Sequence, residues 1–332
     1  MPSTRTASLE ALVAELRAGR GIAHKRDIRT VGAHLPLAPE GIRIGDDAAA
    51  IPDGDGYLLF AIEGFLNEFV EKEPWFAGWC GVMVNVSDIA AMGGRPVAVV
   101  DALWSRDGER ARPLLEGLAA AASAYGVPLV GGHTNNRNVR GEQLSVAILG
   151  RAKRLLTSFD AAPGDHLLAA IDLRGRYHEP YAYWDASTGP AIDPERLRGD
   201  LELLPALAEA GLCRVAKDIS MGGLAGTLLM LLECSGLGAV IDLAEVPRPP
   251  GAALPRWLSA FPSFGFLLAT PRAHVEEVCA RFHRRDIACA DIGVCDDSGL
   301  VRLAEADAPP ALFWDLREEK LIGMGACERA VR

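Results

Sequence analysis

Residues 85–94 read Asn-Val-Ser-Asp-Ile-Ala-Ala-Met-Gly-Gly, and they decide how the N-terminal half is built. Val82, Val86 and Ile89 recur at helical spacing and form a core face, while Asn85 and Asp88, three apart, share another face. The pattern extends back to about residue 75, and Gly93-Gly94 stops it. Asp88 therefore falls in the last helical turn, where the helix dipole is negative and a carboxylate costs roughly 0.3–1 kcal/mol unless a cation compensates. A bound metal ion and a pairing with Arg95 both answer that misplacement.

Outward from this helix, a strand is expected over 57–62 and another over 96–104. A second helix follows over 110–125, ended by Gly126, and then strands over 127–130 and 143–150. This is a β-α-β-α-β-β succession around one open sheet. Residues 151–165, RAKRLLTSFDAAPGD, break the pattern, so the expected domains are 1–152 and 153–332. The second half reads as a strand over 166–171, a helix near 201–210, a helix and strand through 241, a strand over 264–270, a helix over 274–284 and a strand over 287–294. Residues 174–194 have no clean period and read as a loop long enough to suggest function. Residues 221–241 carry one charge, Glu233, but glycines and Ser235-Gly236 interrupt them, which favours a buried helix and strand over a membrane span. At the N-terminus Leu9, Leu12, Val13 and Leu16 share one helical face, an amphipathic arm and not a targeting segment.

Composition bounds the function. With 332 residues, 49% of them hydrophobic, the chain is too long for one comfortable core. Acidic residues outnumber basic ones, 44 to 34, for a net charge of −10, so there is no electrostatic footprint for nucleic acid or an anionic membrane. The excess leaves room for cation sites. Only Lys25, Lys72, Lys153, Lys217 and Lys320 are lysines, so bound anions are expected to meet guanidinium or backbone N–H groups. Seven cysteines without a C-x-x-C pair read as reduced thiols of a cytoplasmic protein.

Three further constellations carry chemistry. In Gly45-Asp46-Asp47, glycine permits the turn that would bring carboxylates to one hard cation; a solvated turn is the plainer reading. In Val130-Gly131-Gly132-His133-Thr134, a strand runs into a Gly-Gly turn whose N–H groups suit phosphate. His133 there reads as ligand, proton carrier or turn residue. In Lys217-Asp218-Ile219-Ser220-Met221-Gly222-Gly223, Ser220 is placed to cap a following helix whose N–H groups form an anion site. A P-loop, a G-x-G-x-x-G after the first strand and a G-x-S-x-G elbow are all absent.

Taken in order, these motifs resemble the superfamily of aminoimidazole ribonucleotide (AIR) synthetase, thiamine-monophosphate kinase, selenide–water dikinase and the hydrogenase-maturation dehydratase. The wording is most similar to the kinase motifs GDD, N-x-SD-x-AAMGA, GGDT, GRA…PGD and D-x-SDGL, here Gly45–Asp47, Asn85–Gly94, Gly131–Thr134, Gly150–Asp165 and Asp218–Leu224. The resemblance implies a mixed α+β, PurM-like fold. Its N-terminal domain would be a ferredoxin-like, ATP-binding one that dimerises through its sheet, followed by a C-terminal α/β domain. It further implies ATP and Mg²⁺, with Asp46, Asp47, Glu63, Asp88 and Asp218 around the metal. Gly132, Asn85, Arg151 and Ser220 would lie near the nucleotide, and Asp47, Asp88 and His133 at the reacting groups.

This chain departs from the kinase at several of those positions. Glu63 and His133 each replace an aspartate, Met221 replaces the second aspartate of D-x-SD, and Phe261-Pro262-Ser263-Phe264-Gly265 replaces the acidic GGEDYE. The last change argues against thiamine phosphate. The first cysteine, Cys80, lies inside a helix, unlike that of the dikinase, and five residues follow Cys327, unlike the dehydratase. The remaining resemblance is to the group described only as AIR-synthase-related. It implies a homodimeric enzyme that phosphorylates or activates a small carboxylate, amide or carbonyl oxygen. Arg174, Arg176, Tyr177, His178 and Trp184 offer cations and aromatics for an anionic or planar substrate; a loop held by aromatic packing explains them equally. A kinase of the thiamine-monophosphate type and a catalytically degenerate nucleotide-binding partner protein are the alternatives.

Overall fold

A computed structural model describes residues 8–35, 42–137, 140–189, 192–305 and 308–324. Helices α1 (Leu9–Ala18), α2 (Arg20–Arg26) and α3 (Ile28–His34) come first, followed by β1 (Ala49–Asp53), β2 (Gly56–Gly64), α4 (Asn67–Lys72), α5 (Pro74–Ala91), β3 (Arg95–Trp104), α6 (Gly108–Tyr125), β4 (Leu129–Asn135) and β5 (Gln143–Ala152). Then come β6 (His166–Ile171), β7 (Arg176–Tyr177), β8 (Tyr183–Asp185), α7 (Pro194–Leu201), α8 (Leu203–Glu209), β9 (Val215–Asp218), α9 (Gly223–Ser235), β10 (Gly238–Asp242) and α10 (Leu254–Leu258). The last are β11 (Phe261–Pro262), β12 (Gly265–Thr270), α11 (Val275–His283), β13 (Ala288–Asp296), β14 (Leu300–Ala304) and β15 (Ala311–Asp315). Two units emerge: residues 47–156 with 187–211, and residues 1–46, 157–186 and 212–332.

The first unit is a five-stranded sheet in the order β1-β2-β5-β3-β4, with β3 and β4 parallel and the other pairs antiparallel. Strand alternation sends Leu59, Ala61, Val99, Leu103, Leu144, Val146 and Ile148 to a buried face, against which α5 packs. The opposite face carries Ile51, Phe60, Ile62 and Val100, all exposed, with Ile62 at 66%. Helix α5 is buried along Phe76–Ala91, and glycine is what lets it come so close to its neighbours. A Cβ at Gly78 would stand 2.1 Å from the Leu114 carbonyl oxygen, and one at Gly117 of α6 would stand 1.9 Å from that of Trp75.

The second unit holds a seven-stranded sheet in the order β15-β14-β10-β13-β6-β12-β9 and a small sheet, β11-β8-β7. Leu167, Ala169 and Ile171 of β6 point into a core shared with α1, α9, Trp257, Phe313 and Trp314. The expected buried helix and strand of residues 221–241 are α9 and β10. The lone charge in that stretch, Glu233, is 1% exposed and accepts the N–H groups of Leu321 (2.6 Å), Ile322 (3.1 Å) and Gly323 (2.8 Å). No helix among the described residues is long and apolar enough to cross a membrane.

Two expectations are corrected and one is extended. The strand expected over 127–130 does not turn at Gly131-Gly132 but runs on to Asn135, because β4 keeps its parallel ladder with β3. The helix near 201–210 is α8, and α7, just before it, was not anticipated. Residues 174–194 are not one loop, since β7 and β8 pair within them. Cys327 lies outside the described residues. If glycine contact governs the packing of α5 on α6, Gly117→Ala will cost about 1–3 kcal/mol, the usual range for overpacking, measured as a lowered urea midpoint at unchanged slope.

Candidate functional site

Gly45 takes φ +125°, a conformation that suits glycine, and a Cβ there would lie 3.0 Å from that of Met324. The turn it makes separates the two aspartates after it. Asp46 accepts the Ser158 N–H (2.9 Å) and hydroxyl (2.7 Å) on its two carboxylate oxygens, so it ties the backbone. Asp47 instead has a carboxylate oxygen within 4.8 Å of one from Asp88, which is 5% exposed on the last turn of α5. Two carboxylates this close repel each other unless a cation or a proton intervenes.

Arg95 does not supply that charge. Its guanidinium is taken by Glu202, through a short paired contact, and by Glu209 at 2.7 Å. Those two carboxylates hold its pKa well above the ordinary guanidinium value. The pairing of Asp88 with Arg95 is thereby replaced. One helical turn earlier, fully buried Asn85 donates its amide N–H groups to the carbonyls of Gly81 (2.7 Å) and Val146 (3.1 Å), fastening α5 to β5. Its amide oxygen is buried without a hydrogen-bond partner, an acceptor that a cation or a donor would satisfy. Hard oxygen donors of this kind fit Mg²⁺ better than a soft metal.

Register sorts the remaining positions of this unit. Glu63 and Asp101 both pair with Val146, and Asp101 pairs with Gly132, so these four cross the sheet in one row on its helix-covered side. A Cβ at Gly132 would stand 2.5 Å from the Asp101 carboxylate. The missing side chain is what admits that acid. Asp101 was not anticipated from sequence, because it lies in an apolar strand run and gains meaning only beside Gly132. Burial pushes its carboxyl above the usual range. His133, one residue on, pairs with Ala102 and faces the opposite, exposed side, where its ring approaches Trp104 at 6.1 Å. Arg151 pairs with Asp53 at 2.7 Å.

In the other unit Asp218 ends β9 and is 4% exposed; its carbonyl accepts the Thr227 hydroxyl (3.2 Å). Ser220 does not cap α9. Gly222 is the N-cap residue, without a side-chain cap. Gly223 takes φ +64° where a Cβ would meet the Leu258 carbonyl at 2.4 Å, and the Ser220 N–H donates to Thr227 (3.4 Å). Met221 is 43% exposed.

The stretch 174–185 is held largely by its own contacts. Arg174 forms a fork with Asp172 (2.8 and 3.0 Å), and the Trp184 indole donates to the Asp172 carbonyl (2.9 Å). Tyr177 meets Trp184 edge-on at 5.2 Å, Arg256 lies 3.7 Å over the Tyr177 ring, and His178 stacks on Tyr181. Arg176 is exposed. Aromatic packing therefore accounts for most of this segment.

A carboxyl raised by burial is destabilised in its charged form, so its penalty is present at neutral pH and fades as pH falls through its folded value toward the ordinary carboxylate range. Asp101→Asn should accordingly raise the melting temperature at pH 7. The gain should shrink toward pH 3, as read by thermal unfolding across that window.

Comparison with known proteins gives the family and the fold. The N-terminal domain model of AIR synthase related protein matches residues 45–152, and the C-terminal domain model matches 167–304. An uncharacterized protein of Synechocystis sp. is 46% identical over 321 residues, covering 95% of this chain and 98% of its own. One from Methanocaldococcus jannaschii is 35% identical over 281 residues, covering 82% and 86%. The Halorubrum lacusprofundi phosphoribosylformylglycinamidine synthase subunit PurL is 30% identical over 298 residues, covering 77% of this chain and 39% of that one. Among solved structures, Thermotoga maritima PurL complexed with ATP aligns with TM-score 0.73 at 20% identity, over 96% of this chain and 53% of that chain. A chain of a HypE–HypF complex aligns with TM-score 0.67 at 21% identity, over 86% and 98%. The chain thus spans about half the length of the PurL structure it matches, and these structural likenesses show a shared PurM-like, two-domain α+β fold. With both domain models matched in order, the chain belongs to the AIR synthase related protein family.

Proposed function

We propose that this protein is an ATP- and Mg²⁺-dependent enzyme that phosphorylates or activates a carboxylate, amide or carbonyl oxygen of a small molecule. The observation that carries the reading is the close pair of Asp47 and Asp88, with the orphaned Asn85 oxygen one turn away. The Thermotoga maritima PurL complexes with ADP, ATP and AMPPCP, which share this fold, support nucleotide as the ligand. Asp47 and Asp88 would hold Mg²⁺, with Asp218 as a further ligand by its position in the D-x-SD motif. Bound Mg²⁺ would supply neutralising charge for phosphate oxygens. Asn85 would orient a phosphate-bound donor or the cation through its amide oxygen. Gly132 would let the ligand approach the β4 backbone beside Asp101, and Arg151 and Ser220 would lie near the nucleotide.

Incubating the full chain with ATP, Mg²⁺ and a panel of small acids and amides should release ADP or AMP only with the correct partner. Asp88→Asn should raise the Mg²⁺ concentration for half-maximal release by at least about tenfold. Saturable ATP binding without turnover across the panel would favour the degenerate partner reading, for which Met221 in place of an aspartate is the supporting observation.

A homodimer completes the proposal. Ile51, Phe60, Ile62 and Val100 form a contiguous apolar face on the first sheet, of the kind that marks association surfaces. Phe60→Glu combined with Ile62→Lys should halve the mass measured by light scattering. An unchanged mass would assign that face another role.

A further inference from the structure

The amphipathic arm formed by α1 and α2 belongs to the second unit, and the acidic site makes no use of it. Leu12, Val13 and Leu16 of α1 and Ile22 of α2 are buried in the core that α9 also lines. Glycine brings α2 closest. A Cβ at Gly21 would stand 2.3 Å from the Met221 carbonyl oxygen and 3.0 Å from the Gly222 Cα, so backbone lies on backbone with no room for a methyl group. Lys25 Cγ lies 3.5 Å from where a Cβ of Gly222 would be, and Ile22 Cγ1 lies 3.8 Å from that of Gly226. These contacts fall on the turn that joins Asp218 to α9. Within it the Ile219 N–H donates to the Gly265 carbonyl (2.8 Å) and the Gly223 N–H to that of Ser220 (2.8 Å). A Cβ at Gly223 would meet the Leu258 carbonyl oxygen at 2.4 Å and the Ser259 Cα at 2.5 Å. The turn is thus pressed by backbone from two elements, α2 and the end of α10.

Charge fastens the arm from its other end. Arg17 and Arg26 share the Glu319 carboxylate (2.9 and 2.7 Å), and both guanidinium groups lie over the Trp314 ring, at 4.2 and 5.0 Å. The Trp314 indole donates to the Glu319 carbonyl (2.7 Å), Arg17 to the Phe313 carbonyl (2.8 Å) and Arg29 to the Lys320 carbonyl (3.3 Å). Each ion pair is partly exposed and adds little alone. Joined to the stacking on one fully buried ring, they fix where α2 sits. Glu319 therefore holds the helix at Arg26 while Gly21 rests on the turn.

We propose that the arm is a positioning element for the turn after Asp218, with Gly21 the residue that seats it and Glu319 the residue that holds it. The inference rests on the reading of Asp218 as a ligand to nucleotide-bound Mg²⁺. Neither residue touches ligand; both act through the backbone of Met221 and Gly222. A methyl group at position 21 must move either α2 or the turn, because the atoms it meets are backbone and cannot swing aside as a side chain would. Movement of the turn carries the end of β9, and a carboxylate displaced by about 1 Å loses much of what it contributes to a bound complex. Loss of the Glu319 charge releases the same contact without adding bulk.

Gly21→Ala and Glu319→Gln should be compared with the wild-type full chain by hydrogen–deuterium exchange and by calorimetric titration with ATP, in Mg²⁺ and in EDTA. Both variants should exchange the N–H groups of residues 219–223 at least about tenfold faster. Both should raise the ATP concentration for half-saturation in Mg²⁺ by about tenfold, and that difference should vanish in EDTA. Val278→Ala, a buried change on α11, should lower the melting temperature and leave both readouts at their wild-type values. Unchanged exchange in the two arm variants would overturn the proposal. Faster exchange with wild-type affinity, or an equal loss of affinity in Val278→Ala, would do the same. A wild-type chain without saturable ATP binding would overturn the nucleotide reading instead, and exchange in the variants would still decide whether the arm sets the turn.

Discussion

A helix buried along sixteen consecutive residues must carry its polar side chains into the interior with it, and much of the first unit follows from that. Backbone groups inside α5 satisfy one another, but Asn85, Ser87 and Asp88 need partners that water cannot supply. Glycines at 78, 81 and 117 bring α6 and the sheet close enough to exclude solvent. The close approach also presses Asn85 onto β5, where its nitrogen finds the Val146 carbonyl and its oxygen finds no partner. Tight packing and an unsatisfied acceptor are thus one feature.

Charge is distributed in keeping with that economy. The chain is poor in lysine, and several of its arginines are engaged by carboxylates within the same unit. Arg95 is held by Glu202 and Glu209, Arg151 by Asp53, Arg174 by Asp172 and Arg256 by Glu179. Most of these pairs are substantially exposed, so each adds little stability. They do engage Arg95, the cation that sequence spacing offered to Asp88, with Glu202 and Glu209 instead.

The parts legible in sequence were those set by local periodicity. The 3.6-residue pattern ending in Gly93-Gly94 gave α5 almost to the residue, and Gly126 ended α6 in the left-handed conformation that glycine tolerates. Strand β1 and the pair β14–β15 escaped notice because each is only five residues long. Gly131-Gly132 looked like a turn because two glycines usually are one, yet here they continue a ladder. Ser220 looked like a helix cap two residues before the actual one. For the site, Asp47 and Asp88 were legible from residue type and motif. Asp101 was not, since its environment is made by Gly132 on the neighbouring strand, and no local pattern reports a cross-strand vacancy.

Alternation along β4 also bears on the substitutions that separate this chain from the thiamine-monophosphate kinase pattern. Gly132 and Asp101 point to the helix-covered side of the sheet, the side of Val146 and Asn85, whereas His133 shares the exposed side with Ala102, Trp104 and the apolar patch around Ile62. A carboxylate at position 133 would have pointed away from α5. Its replacement by histidine therefore removes nothing from the pair formed by Asp47 and Asp88. It changes the chemistry of the face on which Phe60 and Ile62 are exposed, exchanging a charge that resists burial for a ring that packs on Trp104 and tolerates it. The divergence at this position thus falls on the exposed apolar face of the first sheet, across the sheet from the carboxylate of Asp88 on α5.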